Sequence, residues 1–502
     1  MSQAPSKGTL FGHPTGLYIL FTTEMWERFS YYGMRALLVL TLVAATESVN
    51  PGFGLSQGDA LKLYGYYTAL VYFTPLIGGW LADNFLGQRK SILWGGVLMA
   101  AGQFVLFAAT PHSMDLFYVG LGLIIAGNGL FKPNISTIVG DLYPQGDARR
   151  DSAFSIFYMG INLGAFIAPL ITSTLGESPE YGWRWGYFAA GVGMSLAVIT
   201  QGLTFQRFLG DIGKIPGAKL SLEASGGTKK PLTNVERDRL RVILSLFVFV
   251  TVFWLAFEQA GGLMNIYASE YTARTVGSFE IPAGYFQSLN PLFILIFAPV
   301  FSVLWVFLHK RDSSPDAPIK IFAGLLLTAI GFGFLVVGVF EIQATGSSSM
   351  IWLVLAYLFH TLGELCISPV GLSLMTKLAP LRLASLVMGI WFLMPAIAQY
   401  LAGLVGSFSD TADQYDPVRH FAGSLGISPQ FSGLLVVFGG IALGLIVFGL
   451  ILWAVSGKLV DWMHGAERQE PSTAAEGIEQ ELEVVAEHEG ITTSKASDKN
   501  QK

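Results

Sequence analysis

The first long apolar stretch of this 502-residue chain carries ionisable side chains that could move a proton or hold a charged ligand. Glu24, Glu27 and Arg28 have helical spacing and fall on one face of a helix, which Arg35 extends. A charged side chain at the centre of a bilayer costs roughly 2.5–3.5 kcal/mol on insertion scales. A row of such residues is therefore expected to serve proton transfer or ligand binding, and an ion pair that only joins two helices is the structural alternative.

Further ionisable residues lie inside later apolar stretches. Within these stretches we count four acids and three bases: Glu24, Glu27, Glu258, Glu364, Arg28, Arg35 and Lys132. Their formal charge is 3 − 4 = −1, and burial favours the neutral form of a carboxyl group. We therefore predict that one of these glutamates binds and releases a proton during function.

The elements that must position these residues are membrane-spanning helices. The chain is 52% hydrophobic and only 13% charged, against about 25% charged residues in soluble domains. Apolar spans of about 20 residues or more lie near 15–45, 57–83, 90–110, 115–139, 152–175, 185–207, 241–268, 284–309, 318–340, 349–376, 383–406 and 429–456. The sequence predicts an all-α polytopic membrane protein with about twelve transmembrane helices in two six-helix bundles. Runs of this length exclude the alternating strands of a β-barrel.

A polar break divides the spans into two sets of six. We predict an N-terminal bundle over 1–207, a cytoplasmic linker over 208–240, a C-terminal bundle over 241–457 and a cytoplasmic acidic tail over 458–502. Lys and Arg residues are concentrated in the linker and in one set of loops, for example at Arg89, Lys90, Lys310 and Arg311. The positive-inside rule therefore places both termini in the cytoplasm.

Six segments carry specific motifs: Glu24-x-x-Glu27-Arg28, 78–90, 127–134, 154–166, Trp254-x-x-Phe257-Glu258-Gln259 and 363–369. Together with the six-plus-six layout, they resemble the proton-coupled oligopeptide transporter family of the major facilitator superfamily. Two departures stand out. The central segment is too short and too polar for the two additional helices of many bacterial members, and Gly65 stands where mammalian members have a histidine.

The resemblance implies a major facilitator fold and a proton-driven symporter that imports di- and tripeptides by alternating access. Glu24, Glu27, Arg28 and Glu258 would serve proton coupling, with protons as the coupling ion and no cofactor or metal. The pairs Arg35–Glu258 and Lys132–Glu364 resemble salt bridges between the halves that form and break as they rock. Asp83 and Arg89 are expected to hold the cytoplasmic helix ends together in one state of the cycle.

A short peptide has a carboxylate at one end and an ammonium group at the other, so its site needs a positive and a negative corner. The resemblance assigns the carboxylate to the basic residues of the N-terminal half and the amino group to Glu364. Amide groups can bond the peptide backbone, and aromatic rings tolerate many side chains. The predicted peptide-binding residues are Arg28, Tyr31, Tyr32, Arg35, Tyr72, Lys132, Tyr158, Asn162, Trp254, Glu258, Asn290, Glu364, Ser368 and Trp391.

Other functions remain as alternatives. A carrier of nitrate, a drug or another small organic anion on the same fold is the main rival, although a pure anion carrier has no need of the acid at Glu364. A membrane enzyme is disfavoured, because the chain has neither an H-E-x-x-H nor a G-x-S-x-G motif. We expect a multi-pass protein of a bacterial inner membrane, functional as a monomer, without nucleic-acid partners.

Overall fold

The computed structural model describes residues 8–144, 147, 149–216, 232–311, 314–379 and 384–466. Its helices are α1 Thr15–Val43, α2 Gln57–Leu81, α3 Gln88–Ala108, α4 Met114–Asp141, α5 Arg149–Gly176, α6 Trp183–Phe208, α7 Asn234–Phe257, α8 Leu263–Glu270, α9 Leu289–Lys310, α10 Ala317–Thr345, α11 Met350–Leu378, α12 Ala384–Thr411, α13 Asp416–Ser424 and α14 Pro429–Trp462. Three two-stranded ribbons pair Thr9–Leu10 with His13–Pro14, Thr272–Ala273 with Ser348–Ser349, and Thr275–Val276 with Phe279–Glu280.

The predicted fold class is confirmed: the chain is a helical membrane protein. A helix lies over each predicted span, and within the described residues nine helical segments are long and apolar enough to cross a membrane. Helix α1 is not among those nine, because its central part carries the charged row from Glu24 to Arg35. The short helix α13 is an additional element, which lies in the loop between the last two predicted spans.

The two halves meet closely along α2 and α12. A Cβ atom added at Gly65 would lie 2.8 Å from the Cα of Gly403 and 3.2 Å from the carbonyl oxygen of Gln399. These distances are too short for a side chain, so the two backbones approach each other only because both positions are glycine. A histidine at position 65 would therefore not fit this interface.

The seventh predicted span, 241–268, is not one continuous helix. Helix α7 ends at Phe257, a 3₁₀ turn covers Glu258–Gly261, and α8 begins at Leu263. A Cβ atom at Gly261 would lie 2.0 Å from the hydroxyl oxygen of Tyr64 and 2.5 Å from Nε of Arg35. The helix is interrupted where a side chain of the other half enters, as in the discontinuous helices of many transporters.

Three predictions concern segments that the sequence assigns to the cytoplasm: one needs correction, one contact is not formed in this state, and one segment falls outside the structure. Residues 234–240, assigned to the linker, form the first turns of α7, because Thr233 and Glu236 make a reciprocal capping box at its start. Asp83 is exposed and forms no ion pair with Arg89 among the described residues; Nη1 of Arg89 instead donates to Oε1 of Gln206 at 3.4 Å. Residues 467–502, most of the predicted acidic tail, lie outside the described part of the chain.

Candidate functional site

The charged row of α1 is a buried ion-pair cluster. Nε of Arg28 lies 2.8 Å from Oε1 of Glu24 and 2.5 Å from Oε2 of Glu27. The amide nitrogen of Asn128 on α4 donates to Oε1 of Glu27 at 3.4 Å. Nη2 of Arg28 and Oε2 of Glu24 are buried without a hydrogen-bond partner among the described residues. Since a buried polar group without a partner costs free energy, these atoms are available to a ligand, a proton or water.

Lys132 supplies a second positive charge beside this cluster. Its Nζ lies 4.0 Å from the ring centroid of Tyr72, which is a close cation–π contact. The structure does not form the predicted pair between Lys132 and Glu364: no ion pair joins these two described residues. Lys132 therefore remains on the side of the N-terminal half in this state.

Arg35 of the first half reaches the 3₁₀ turn Glu258–Gly261 of the second half and so connects the two halves. Its Nη2 donates to Oε2 of Glu258, which gives the predicted interhalf ion pair. Its Nε donates to the hydroxyl oxygen of Tyr64 at 2.6 Å, so the planar guanidinium is held at two positions. Arg35 and Glu258 are both buried, with residue exposures of 5% each. Removing one partner of such a pair would leave an uncompensated buried charge.

Glu364 forms the negative corner on α11. The amide nitrogen of Asn290 donates to Oε2 of Glu364 at 2.9 Å and to Oγ1 of Thr361 at 3.0 Å. No cation pairs with Glu364 among the described residues, which leaves its carboxylate available to an ammonium group. Asn290 thus orients the acid without neutralising it.

A cavity of about 150 Å³ lies between the two halves, and Arg35, Glu258, Asn290 and Glu364 are in its wall. Nine predicted peptide-binding residues line it: Tyr32, Arg35, Tyr72, Tyr158, Asn162, Trp254, Glu258, Asn290 and Glu364. A larger cavity of about 260 Å³ lies within the N-terminal half, but Arg184 is the only charged residue among the described ones that line it, so it does not supply both corners of the site.

Five other predicted peptide-binding residues are not in the cavity wall: Arg28, Tyr31, Lys132, Ser368 and Trp391. Arg28 is held by the acids of its own helix, and Lys132 lies behind the ring of Tyr72. Tyr31 is only 1% exposed and packs against Tyr32. Helical spacing predicts which residues share a face, but it does not predict which of them a neighbouring ring covers.

Sequence reasoning missed several wall residues, among them Gln287 and Tyr357. The hydroxyl of Tyr357 donates to the carbonyl oxygen of Ala260 at 3.2 Å, and the amide of Gln287 donates to the same oxygen. Both therefore support the turn that carries Glu258. Helical spacing could have found them, because Gln287 precedes Asn290 by three residues and Tyr357 precedes Glu364 by seven.

The family model and several similar relatives of this chain indicate the same protein family. The model of the POT family, PTR2, matches residues 89–208 and 220–420. The chain is 39% identical over 489 residues to the "Uncharacterized transporter YclF" of Bacillus subtilis, covering 88% of this chain and 95% of that protein. It is 37% identical to the "Peptide transporter YePEPT" of Yersinia enterocolitica, with coverages of 83% and 91%. It is 35% identical to the "Di-/tripeptide transporter" of Lactococcus lactis, with coverages of 86% and 95%.

Solved structures give the same result. A crystal structure of the peptide transporter POT in complex with sulfate superposes with a TM-score of 0.79 at 36% identity, covering 92% of this chain and 98% of that one. A mutant of a peptide transporter POT in complex with alafosfalin gives a TM-score of 0.79 at 37% identity, with coverages of 91% and 98%. The agreement of family model, relatives and fold shows that this chain belongs to the POT family.

Proposed function

We propose that the protein is a proton-driven symporter that imports di- and tripeptides by alternating access. The observation that carries this proposal is the charge arrangement of the central cavity. Glu364 of the second half is in its wall and forms no ion pair with a described residue, and Lys132 of the first half lies against the ring of the wall residue Tyr72. A zwitterion with its charges several ångströms apart complements this arrangement, and relatives with 35% and 31% identity are named as di- and tripeptide transporters or permeases.

In this proposal, the peptide carboxylate binds Lys132 and the buried Nη2 of Arg28, and the amino terminus binds Glu364. Asn162 and Asn290 bond the peptide backbone, and the surrounding rings hold the side chains. The cavity of about 150 Å³ is smaller than the roughly 300–1,000 Å³ of drug-sized pockets, which favours ligands of only a few residues. The five residues outside the present wall contact the peptide only after the cavity widens: Arg28, Tyr31, Lys132, Ser368 and Trp391.

The proton is carried by the acids of the ion-pair cluster and by Glu258. Glu24 and Glu27 share one arginine nitrogen, so two carboxylates compete for one charge partner. A proton on either acid relieves this competition, and so does a second cation or a change in the position of Arg28. The coupling ion is the proton, and we propose a monomer in the inner membrane with both termini in the cytoplasm.

The test is uptake of labelled dialanine into liposomes that contain the purified protein, under an inward-negative potential and an inward proton gradient. We expect accumulation that collapses with a protonophore and that di- and tripeptides compete, whereas free alanine and nitrate do not. Accumulation of nitrate or another small anion in place of the peptide would overturn the substrate. Absence of flux with every one of these solutes would overturn the transport proposal.

A matched pair of variants tests the assignment of the peptide amino group. Glu364→Gln should raise the KM for dialanine by roughly tenfold or more, because a charge-assisted hydrogen bond is lost. It should discriminate much less between free and N-acetylated dialanine than the wild-type protein does. Glu280→Gln, on the protein surface, is the control and should leave both parameters unchanged. A wild-type preference for the free amino terminus that persists in Glu364→Gln would contradict this assignment.

A further inference from the structure

We first define the outer face as the face that the Lys and Arg pattern assigns to the outside, at which α5 ends and α2 begins. At this outer face, a carboxylate of the first half accepts hydrogen bonds from backbone amides of the second half. Glu177 directly follows α5, and its Oε2 accepts a hydrogen bond from the N–H of Ala283 at 2.6 Å. Its Oε1 accepts one from the N–H of Gly284 at 2.8 Å. Both amides belong to the 3₁₀ turn Ala283–Ser288, which leads directly into α9.

The same arrangement occurs a second time, in the opposite direction. Asp410 lies in the last turn of α12 in the second half, and its Oδ2 accepts a hydrogen bond from the N–H of Gly58 at 2.9 Å. Gly58 is in the first turn of α2 in the first half. The acid therefore comes from the second half here, and the amide from the first.

The two contacts correspond by position in the six-helix bundles. Helices α5 and α12 lie over the fifth predicted span of their halves, and α2 and α9 lie over the second. Each acid thus stands at the outer end of a fifth span and binds amides at the start of the second span of the opposite half. Because the contact recurs at corresponding places in both halves, it is a property of the fold and not of one loop.

Glycine makes the close approach possible in both cases. A Cβ atom at Gly284 would lie 1.9 Å from Oγ of Ser173 and 3.2 Å from Oε1 of Glu177. A Cβ atom at Gly58 would lie 2.9 Å from Oδ2 of Asp410. A side chain at either position would have to displace the carboxylate or its neighbour, so these amides are exposed to the acid only because the residues are glycines.

Among the described residues, Arg274 is the cation that acts on the charge of Glu177. However, Nη2 of Arg274 binds Oε1 of Glu280 at 2.9 Å. A neighbouring interhalf contact joins Oγ1 of Thr174 to the hydroxyl oxygen of Tyr285 at 2.6 Å. Burial raises the pKa of Glu177, and the two backbone donors and Arg274 offset this effect only in part.

The surroundings of Asp410 are acidic. Glu270 of α8 lies close enough to interact with its charge and accepts a hydrogen bond from Nε2 of Gln57 at 2.6 Å, which also joins the two halves. Tyr271 is the other titratable neighbour. Three interhalf contacts of the outer face therefore use a carboxylate as the acceptor, whereas the acceptor of the Thr174–Tyr285 contact is a hydroxyl.

We infer that the hydrogen bonds of Glu177 and Asp410 hold the two halves together at the outer face and so control opening to the outside during the transport cycle. We call these two contacts the latches, and the interhalf contact that they close the outer gate. This inference depends on the alternating access proposed above. The carboxylates bind the opposite half only while the outer ends are together, so opening to the outside breaks both latches. Their strength then sets the ratio of outer-closed to outer-open protein, and with it the rate at which the empty carrier returns to the outside.

The test is a distance measurement between spin labels on the outer face. Glu47→Cys in the first half and His420→Cys in the second are exposed positions, and Cys366→Ser removes the native thiol. Double electron–electron resonance in lipid, without peptide, should give mainly the short distance of the closed gate. Glu177→Ala and Asp410→Ala should each raise the ratio of long to short distances by roughly tenfold or more, because the backbone donors lose their hydrogen-bond acceptor. The double variant should raise it further.

Asp59→Ala is the matched control, because it removes an outer-face acid whose ion pair with Lys62 lies within its own helix. It should leave the distance distribution unchanged. Glu177→Gln and Asp410→Asn keep the side-chain volume and serve where an alanine variant fails to fold; they should give smaller shifts in the same direction. An unchanged distribution in the folded double variant would overturn the latches. The distance measurement requires no transport. A failure of peptide uptake would therefore overturn the proposed substrate without affecting the test of the latches.

Discussion

The ion pairs along α1 fall into two sets that differ in where their partners lie. The first set, Glu24, Glu27 and Arg28, is contained within one helix. The second, Arg35 with Glu258, joins that helix to the other half of the molecule. A rigid-body movement of the halves preserves the first set and separates the second. The first set can therefore bind or release a proton without a change in the contact between the halves, whereas the second is formed only while one face is closed.

The two predicted interhalf bridges also differ from each other, because one is formed and the other is not. Arg35–Glu258 is formed, and the latches of Glu177 and Asp410 are closed on the same side. Lys132 and Glu364 are not paired. Bridges on opposite sides of a central site are not expected to be formed together, since alternating access opens one side as it closes the other. The structure thus fits a state closed to the outside.

The largest effect is expected when the first set loses both acids. Glu24→Gln combined with Glu27→Gln should abolish proton-driven accumulation of dialanine, because no carboxylate of the cluster can then bind and release a proton. Exchange of labelled for unlabelled peptide across the membrane should continue. Uptake and counterflow in the same liposomes measure the two processes. Intact uphill accumulation in the double variant would contradict the assignment of the proton to this cluster.

Breaking the ion pair between Arg35 and Glu258 should lower the population of the closed outer gate. Glu258→Gln leaves Arg35 buried without a charged partner, and removing one partner of a buried pair costs about 3–5 kcal/mol. If the pair forms only in the outer-closed state, the spin-label distances of the outer face should shift strongly toward the open gate. The matched comparison is Glu24→Gln, whose partner lies on the same helix and which should leave those distances unchanged. A shift of equal size in both variants would remove the distinction between the two sets.

A smaller effect is expected at the second contact of Arg35. Tyr64→Phe removes the hydroxyl that accepts from Nε of Arg35 at 2.6 Å, but it keeps the ion pair with Glu258. A single hydrogen bond contributes about 0.5–1.5 kcal/mol, or up to about tenfold in the ratio of closed to open gate. The same distance measurement checks this, with Tyr118→Phe on the exposed face of α4 as the control. A shift as large as that of Glu258→Gln would show that Tyr64 does more than orient the arginine.

The smallest effect is the pH dependence that Glu177 contributes to the gate. Burial raises the pKa of Glu177 in the closed gate, whereas an exposed glutamate has an ordinary pKa of about 4.3. Proton binding favours the state with the higher pKa, so this group favours closure at low pH and loses that contribution as pH rises through the raised value. Closed populations measured by spin-label distance from pH 4 to 8 should change less in Glu177→Gln than in the wild type. Identical pH profiles would contradict the contribution of Glu177.

Local patterns in the sequence accounted for much of the fold and part of the site. The apolar spans predicted the helices because each must satisfy its own backbone hydrogen bonds in lipid. Helical spacing predicted that Glu24, Glu27 and Arg28 form one cluster, and the structure brings them together. Spacing could not predict the break at Glu258–Gly261, because the break is where Arg35 and Tyr64 of the other half enter.

The sequence by itself determined the class of protein, the position of its helices and the intrahelical charge cluster, since these depend on composition and on contacts within a few residues. The tertiary structure alone decided which polar residues face the cavity, which predicted bridge is formed, and that Glu177 and Asp410 bind amides more than 100 positions away. Backbone amides carry no signal in the sequence. Their partners are therefore visible only once the two halves are placed against each other.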